Sequence, residues 1–201
     1  MTRAWRLAWL PFLLGAGPAF AHSPVPGLEG FYIGMLHPFS TPAQALLMVG
    51  MGLLASGYAS ERERYHFAAF PVATILGLIL GSSSADLDPA MFATAFAVCG
   101  LAALAPGRVH LLAVALVAVG GFLIGAASIP DAGPLRDRLF TMSGSLVGAN
   151  LGLLYLFGII LVLKQRFTWD WVGIALRVAA AWVGAISLLM LALGLAGPVV
   201  T

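Results

Sequence analysis

The sequence predicts an all-α integral membrane protein, a compact bundle of about six transmembrane helices of which the first is broken. Hydrophobic residues make up 61% of the 201 residues and charged residues only 9%, whereas roughly a quarter of the residues of a soluble domain are charged. The apolar runs are also much longer than the ~10-residue alternating strands of a membrane β-barrel. The spans are therefore helical, and residues 22–201 are expected to form a single transmembrane domain.

Residues 1–21 have the features of a cleavable signal peptide. Arg3 and Arg6 form a positive start, an apolar stretch follows, and Ala19-Phe20-Ala21 matches a small-residue cleavage site. An uncleaved first helix is the alternative, but two prolines and two glycines interrupt the stretch. Cleavage would make His22 the first residue of the mature chain, outside the cytoplasm.

The first span of the mature protein, at about 28–58, is predicted to be broken. Pro38 and Pro42 lie four residues apart in an otherwise apolar run. Proline removes a backbone donor and biases the residue before it away from the helix. We therefore expect a short helix that ends at about His37 and a longer one that runs from Pro42 to about Tyr58.

The residues at this break have the pattern of a new helix start. Thr41 is placed to cap the helix, Pro42 suits its first position, and Gln44 stands where a capping-box glutamine reaches back. Irregular backbone at membrane depth persists only where protein or a water-filled cavity satisfies it. The break is therefore the predicted transport or metal site, formed by His37, Ser40, Thr41 and Gln44.

The remaining apolar runs predict five more spans. They cover about 67–81, 91–105, 111–129, 139–163 and 172–196. The first two are shorter than the ~20 residues that a span needs, so they are shielded by neighbours or lie where the bilayer thins. Small residues with four-residue spacing on the fourth and fifth spans predict close helix contacts: Gly120, Gly121 and Gly125, and Gly144, Gly148 and Gly152.

The charges between the spans predict the orientation. Alternate connections carry most of the basic residues, and these connections are expected to lie in the cytoplasm. This places the protein in a bacterial-type inner (plasma) membrane with its mature amino terminus outside. His66 and His110 are then assigned to cytoplasmic loops, and Asp86 and Asp88 to an outer loop, where they either attract cations or are simply solvated.

The first span also resembles a known family. Gly30-Phe31, Leu36-His37-Pro38 and Leu46-Leu47-Met48, preceded by a signal peptide, are similar to the HupE/UreJ family of small six-helix membrane proteins. These proteins are associated with nickel or cobalt uptake for hydrogenase and urease. The resemblance implies a permease, with Ni²⁺ or another divalent metal as the transported ion, and a membrane or metalloenzyme-maturation partner.

In that family the histidine is followed, after five residues, by Asp-His. Here the two positions are Ala43 and Gln44, so His37 is the metal contact that the resemblance carries over. A further histidine of the family, in the fifth span, has Tyr155 near its place. From the residues alone, His37 is a metal ligand, a proton-carrying group, or a buried imidazole bonded to a carbonyl freed by the break.

Three other residues complete the candidates. Asn150 either faces a pathway or hydrogen-bonds between helices. The α-amine and imidazole of a terminal His22 either chelate a metal ion or belong to an unstructured end. Cys99 is the single cysteine, which lies in an apolar run and indicates a buried structural thiol.

The sequence contains no nucleophile–base pair, phosphate loop or zinc spacing, which argues against an enzyme. It also has no basic, aromatic-interleaved patch of the kind that binds nucleic acid, so the lipid bilayer is the expected partner. Two functions remain open. One is a permease for a divalent metal or another small solute, and the other is a non-transporting membrane subunit that kept the fold and lost the metal ligands.

Overall fold

The computed structural model describes residues 29–58, 60–82 and 85–196, which form seven α-helices and no strand. The all-α bundle is therefore confirmed, while the predicted signal peptide and His22 lie outside the described residues. The helices are α1 (Glu29–Ser40), α2 (Pro42–Ala55), α3 (Ser60–Leu80), α4 (Asp88–Leu104), α5 (His110–Ala127), α6 (Leu135–Arg166) and α7 (Asp170–Ala196).

The first span is broken, as the two prolines predict. Helices α1 and α2 meet at a bend of 70°. The expected end of the first piece at His37 is wrong, because α1 continues through Pro38 to Ser40. Pro38 cannot pair with the carbonyl of Gly34, one turn earlier, and the Ser145 hydroxyl of α6 donates to that oxygen instead, at 3.0 Å. The interhelix bond thus satisfies the backbone group that proline leaves free.

Helix α2 forms the centre of the bundle. It packs against α4, α5, α6 and α7, and its apolar side chains are almost completely buried: Ala43, Leu47, Met48, Met51 and Leu54. Cys99 of α4 is also buried, with its sulfur next to Gly50 of α2. A Cβ atom on Gly50 would lie 2.8 Å from the Cys99 sulfur, so the packing leaves no room for a side chain there.

Glycines allow two helix pairs to approach backbone to backbone. A Cβ atom on Gly144 or Gly148 of α6 would collide with the carbonyl oxygen of Phe31 or Met35 of α1. A Cβ atom on Gly125 of α5 would likewise collide with a carbonyl of α3. The packing role predicted from the four-residue spacing is confirmed.

The three connections assigned to the cytoplasm lie together at one end of the bundle. The Lys164 ammonium donates to the Ser56 carbonyl at 2.6 Å, and Gly57 contacts Gly107, whose φ of 72° suits glycine. Arg177 donates from α7 to a carbonyl in the last turn of α4 at 2.7 Å.

Three helices, α5, α6 and α7, are long and apolar enough to cross a membrane, and the bent α1–α2 pair makes a fourth. Helix α4 is apolar but has 17 residues. Helix α3 begins with the charged segment 60–66, which was expected to be a loop and instead supplies its first turns. Six passes therefore remain a prediction, while the multi-pass helical fold is established.

Candidate functional site

The break in the first span borders a cavity of about 250 Å³, which we call the break cavity. His37, Thr41 and Gln44 line it from the helix break, together with Asp86 and Asp88 from the connection before α4. The structure thus brings together three of the four residues predicted to form the site. Ser40 is exposed and does not line the cavity.

The backbone at the break is satisfied locally. The His37 carbonyl accepts hydrogen bonds from the Ser40 hydroxyl at 3.1 Å, from the Thr41 hydroxyl at 3.2 Å and from the Thr41 amide at 3.2 Å. Thr41 occupies the N-cap position, with Pro42 next to it, but its side chain makes no cap bond. The predicted cap is wrong. The preceding helix continues to Ser40, and the Thr41 hydroxyl donates to the His37 carbonyl of that helix.

The His37 imidazole is partly exposed and forms no hydrogen bond with any described residue. The proposal that it bonds a freed carbonyl is therefore wrong. The carbonyl that Pro38 leaves free is that of Gly34, which accepts from the Ser145 hydroxyl, while the His37 carbonyl accepts from the Thr41 amide.

Gln44 is 1% exposed, and its Oε1 atom has no hydrogen-bond partner within the described part of the chain. The side chain does not form the predicted capping box. An unpaired buried acceptor costs about 1–3 kcal/mol, so this position is expensive unless something in the cavity pairs with the oxygen. Amide oxygens are common ligands of hard cations.

The break cavity combines opposite electrostatic influences. The amino end of α2 carries the positive end of its helix dipole, which by itself favours an anion. Asp86 and Asp88 are exposed carboxylates at the same cavity, and the Asp88 amide donates to Asp86 Oδ1 at 3.2 Å. The two carboxylates offset the dipole and make the cavity attractive to cations.

The described residues do not supply the cavity with three metal-ligating side chains that could share one ion. Among residues 29–58, 60–82 and 85–196, no group of three or more His, Cys, Asp or Glu side chains could hold a metal ion. Beyond Gln44, the interior is closed by Leu47, Met51 and Leu54, each 0% exposed. The arrangement suits brief contact with a cation better than permanent coordination.

Two of the three secondary candidates, Asn150 and Tyr155, lie elsewhere in the bundle, and the third, His22, is outside the described residues. The Asn150 amide donates to the Leu146 carbonyl of its own helix at 2.8 Å, so it does not bridge helices. Tyr155 is 72% exposed and lines an apolar groove of about 840 Å³ between α1 and α6. Neither residue lines the break cavity.

A second polar group, which the sequence analysis missed, lies at the opposite end of the bundle. His66 is 0% exposed within α3, and His110 is the first residue of α5, so their assignment to loops is wrong. With Tyr58 they form what we call the histidine cluster. The ring centroids of the two histidines are 5.4 Å apart. The Tyr58 centroid lies 4.9 Å from that of His66 and 5.6 Å from that of His110.

A periodic signal for the burial of His66 was available. Phe70 and Thr74 follow it at four-residue intervals on α3, and all three residues are buried. Residues four apart share a helix face, so His66 extends the packed face of α3 toward its first turn. The neighbouring charges had suggested a solvated loop instead.

The chain was compared with protein families, curated proteins and solved structures. A family model described as HupE / UreJ protein matches residues 10–194. No curated protein and no solved structure gave a match.

Proposed function

We propose that this chain, which belongs to the HupE/UreJ family, is a permease that admits a divalent metal ion to the membrane through the break cavity. Family membership supports a metal-transport role in general. Nickel and cobalt are the ions that we propose, because both accept imidazole ligands. The observation that carries the proposal is the Oε1 of Gln44, which is buried without a partner among the described residues, at a cavity that His37 and two aspartates also line.

The cavity offers its groups in an order that suits capture. Asp86 and Asp88 lie exposed and attract a hydrated cation, while His37 and Gln44 lie at the helix break and replace part of its water shell. Discontinuous helices form the substrate sites of many membrane transporters. One imidazole and one amide oxygen bind weakly, and weak binding allows the ion to leave again.

Passage beyond the cavity requires a rearrangement of the core. Leu47, Met51 and Leu54 close the interior next to α2, and Met51 contacts Gly120 of α5 through its sulfur. Methionine is flexible and adapts to changes in packing. We propose that the structure is a state closed at its centre, with the ion site open at one end.

A non-transporting accessory subunit is the second candidate. It is favoured by the lack, among the described residues, of a three-ligand group and by the closed apolar interior. In that case the fold would be retained for a partner protein, and Gln44 would have no metal to bind.

Metal uptake by bacterial cells that lack their own nickel transporters separates the two functions. Cells that express the chain should accumulate more Ni²⁺ or Co²⁺ than vector controls. Gln44→Leu and His37→Ala should each lower uptake by about tenfold, since loss of one ligand worth 1.4 kcal/mol has that effect. Ser40→Ala is the matched control, because Ser40 does not line the cavity, and it should leave uptake unchanged. No uptake by the unmodified chain, at normal membrane abundance, would favour the accessory role.

The direction of uptake requires the break cavity to face outward. We propose that the connections carrying Ala132 and Gln165 lie outside and inside, respectively. Single cysteines at these positions can be tested with a membrane-impermeant thiol reagent on intact cells, because native Cys99 is buried and stays silent. Labelling at position 165 but not at 132 would reverse the proposed direction.

A further inference from the structure

We propose that the histidine cluster is a second metal site, in which His66 and His110 bind one divalent transition-metal ion with the Tyr58 hydroxyl beside them. It lies at the end of the bundle opposite the break cavity. Binding there does not depend on transport. Only the further role of the site, receiving the ion before release, rests on the proposed function.

The first observation is a concentration of buried polar atoms without partners. Within the described residues, His66 Nδ1, His66 Nε2, His110 Nδ1 and the Tyr58 hydroxyl are buried without a well-formed hydrogen bond. The nearest partners are backbone groups, of Arg62 for the His66 ring and of Val109 for the Tyr58 hydroxyl. A backbone carbonyl can pair with only one nitrogen of the His66 ring, so its other nitrogen and His110 Nδ1 remain buried without a partner, which is destabilising. A metal ion that binds one nitrogen of each ring supplies that partner.

The second observation is the spacing of the rings. Two imidazoles that bind one ion through nitrogens at about 2.1 Å, in tetrahedral geometry, place their ring centroids about 5 Å apart. The observed His66–His110 distance is 5.4 Å. The rings therefore already stand at the separation that a shared ion requires.

The chemistry of the ligands selects the class of ion. Imidazole suits Co²⁺, Ni²⁺, Cu²⁺ and Zn²⁺ better than Mg²⁺ or Ca²⁺, which prefer oxygen ligands. His66 is fully buried just before the apolar part of α3, an environment that disfavours a charged ring. A neutral ring retains the lone pair that a metal binds.

The surrounding charges set the strength of the site. The positive charge of Arg62 acts on Tyr58, and the Arg64 guanidinium donates to the hydroxyl of Tyr65, whose ring contacts His110. Glu63 carries the opposite charge but is subject to the charge of Lys164. Two neutral ligands beside arginines bind a cation weakly, as suits a site from which an ion is released.

A plain aromatic stack is the competing explanation. The His66 and His110 rings meet edge to face at 72°, which is a favourable arrangement for rings even without a metal. The two explanations differ in whether the lone pairs of the histidine ring nitrogens are used. A stack makes no use of them, whereas a metal site fails when one is removed.

Titration of the purified full chain with Co²⁺ decides between them. The protein is prepared in detergent without a polyhistidine tag, and binding is measured by calorimetry and by the visible absorption of tetrahedral Co²⁺. The chain has four histidines, so a complete set of single His→Gln variants is practical. We expect His66→Gln and His110→Gln each to weaken binding at least about tenfold, while His22→Gln and His37→Gln keep the tetrahedral signal.

His66 is fully buried, so its variant can fail to fold. His110→Gln is the safer substitution because His110 is only partly buried, and a thermal unfolding assay adds a second measurement. Co²⁺ should raise the Tm of the unmodified chain and of His37→Gln clearly more than that of His110→Gln, in which only the break cavity can bind the ion. Absence of the tetrahedral Co²⁺ signal, or a tetrahedral signal that His110→Gln leaves intact, would overturn the proposal. Cells can lose metal uptake while this binding persists, so its failure and that of the proposed function are distinguishable.

Discussion

The break cavity and the histidine cluster are both polar sites that contain histidine, but they are built in different ways. At the break cavity, a single local feature, two prolines four residues apart, creates the irregular backbone and places His37, Thr41 and Gln44 at the cavity wall. At the histidine cluster, regular helix starts and a connection are packed together until Tyr58 and His66 are buried. A polar site can therefore come from broken secondary structure or from tertiary burial of ordinary helix ends. Only the first kind has an obvious signature in the sequence.

The largest effect is expected where α1 is held against α6. Gly148→Leu would force a side chain against the Met35 carbonyl, and overpacking of this kind costs about 3 kcal/mol or more. Because α1 carries His37, the break cavity should be distorted while the histidine cluster, which α1 does not build, stays intact. We expect loss of metal uptake with Co²⁺ binding retained, and a lower Tm in detergent.

Gly158→Leu is the matched control on the same helix. Nothing lies within 4 Å of a Cβ atom at that position, so its stability and uptake should be close to those of the unmodified chain. Equal losses in both variants would mean that any leucine on this face disturbs the bundle, and the contrast between the two sites would not hold.

A smaller change in stability, a gain where Gly148→Leu causes a loss, is expected at Gln44. Gln44→Leu removes the unpaired Oε1 from the interior, which should stabilise the fold by about 1–2 kcal/mol while abolishing the proposed ion contact. Asn150→Leu is the control, because that amide is already bonded to the Leu146 carbonyl and lies outside the cavity. Denaturant unfolding and uptake, measured on the same variants, should show stability rising as function falls. A destabilised Gln44→Leu variant would indicate that the amide has a structural partner.

The smallest effect is expected at Thr41. An N-cap threonine usually contributes about 1 kcal/mol, but here its hydroxyl makes no cap bond and shares the His37 carbonyl with two other donors. Thr41→Ala should therefore change the free energy of unfolding by less than about 0.5 kcal/mol. Thr41→Ser should be indistinguishable from it. A loss above 1 kcal/mol for alanine alone would restore the capping role.

The fold could be predicted from the sequence because its determinants are local. The lengths of the apolar runs indicate the helices, and the prolines indicate the break. The spacing of Gly144, Gly148 and Gly152 indicates that α6 packs closely against another helix, although it does not show that this helix is α1. Half of the break cavity was predicted on the same basis. Its other half, Asp86 and Asp88, was assigned to an outer loop that could attract cations, but nothing in the sequence places that loop beside Gln44.

The histidine cluster could not be predicted as a unit because its members are separated by up to 52 positions, from Tyr58 to His110. Charged neighbours made each histidine resemble part of a solvated loop. The four-residue spacing of His66, Phe70 and Thr74 indicates which face of α3 is buried, but it does not indicate which residues pack against that face. The site depends on the packing of Tyr58 and His110 against His66.

The bend at Thr41 has a consequence for the order in which the helices insert and fold during synthesis. Helices α1 and α2 have 12 and 14 residues, and each is too short to cross a bilayer by itself. We expect the insertion machinery to receive them as one continuous segment. The Ser145 hydroxyl that satisfies Gly34 is synthesised 111 residues later, together with the glycines against which α1 packs. The mature shape of the first span is therefore a late step of biogenesis, which waits for the ribosome to reach α6.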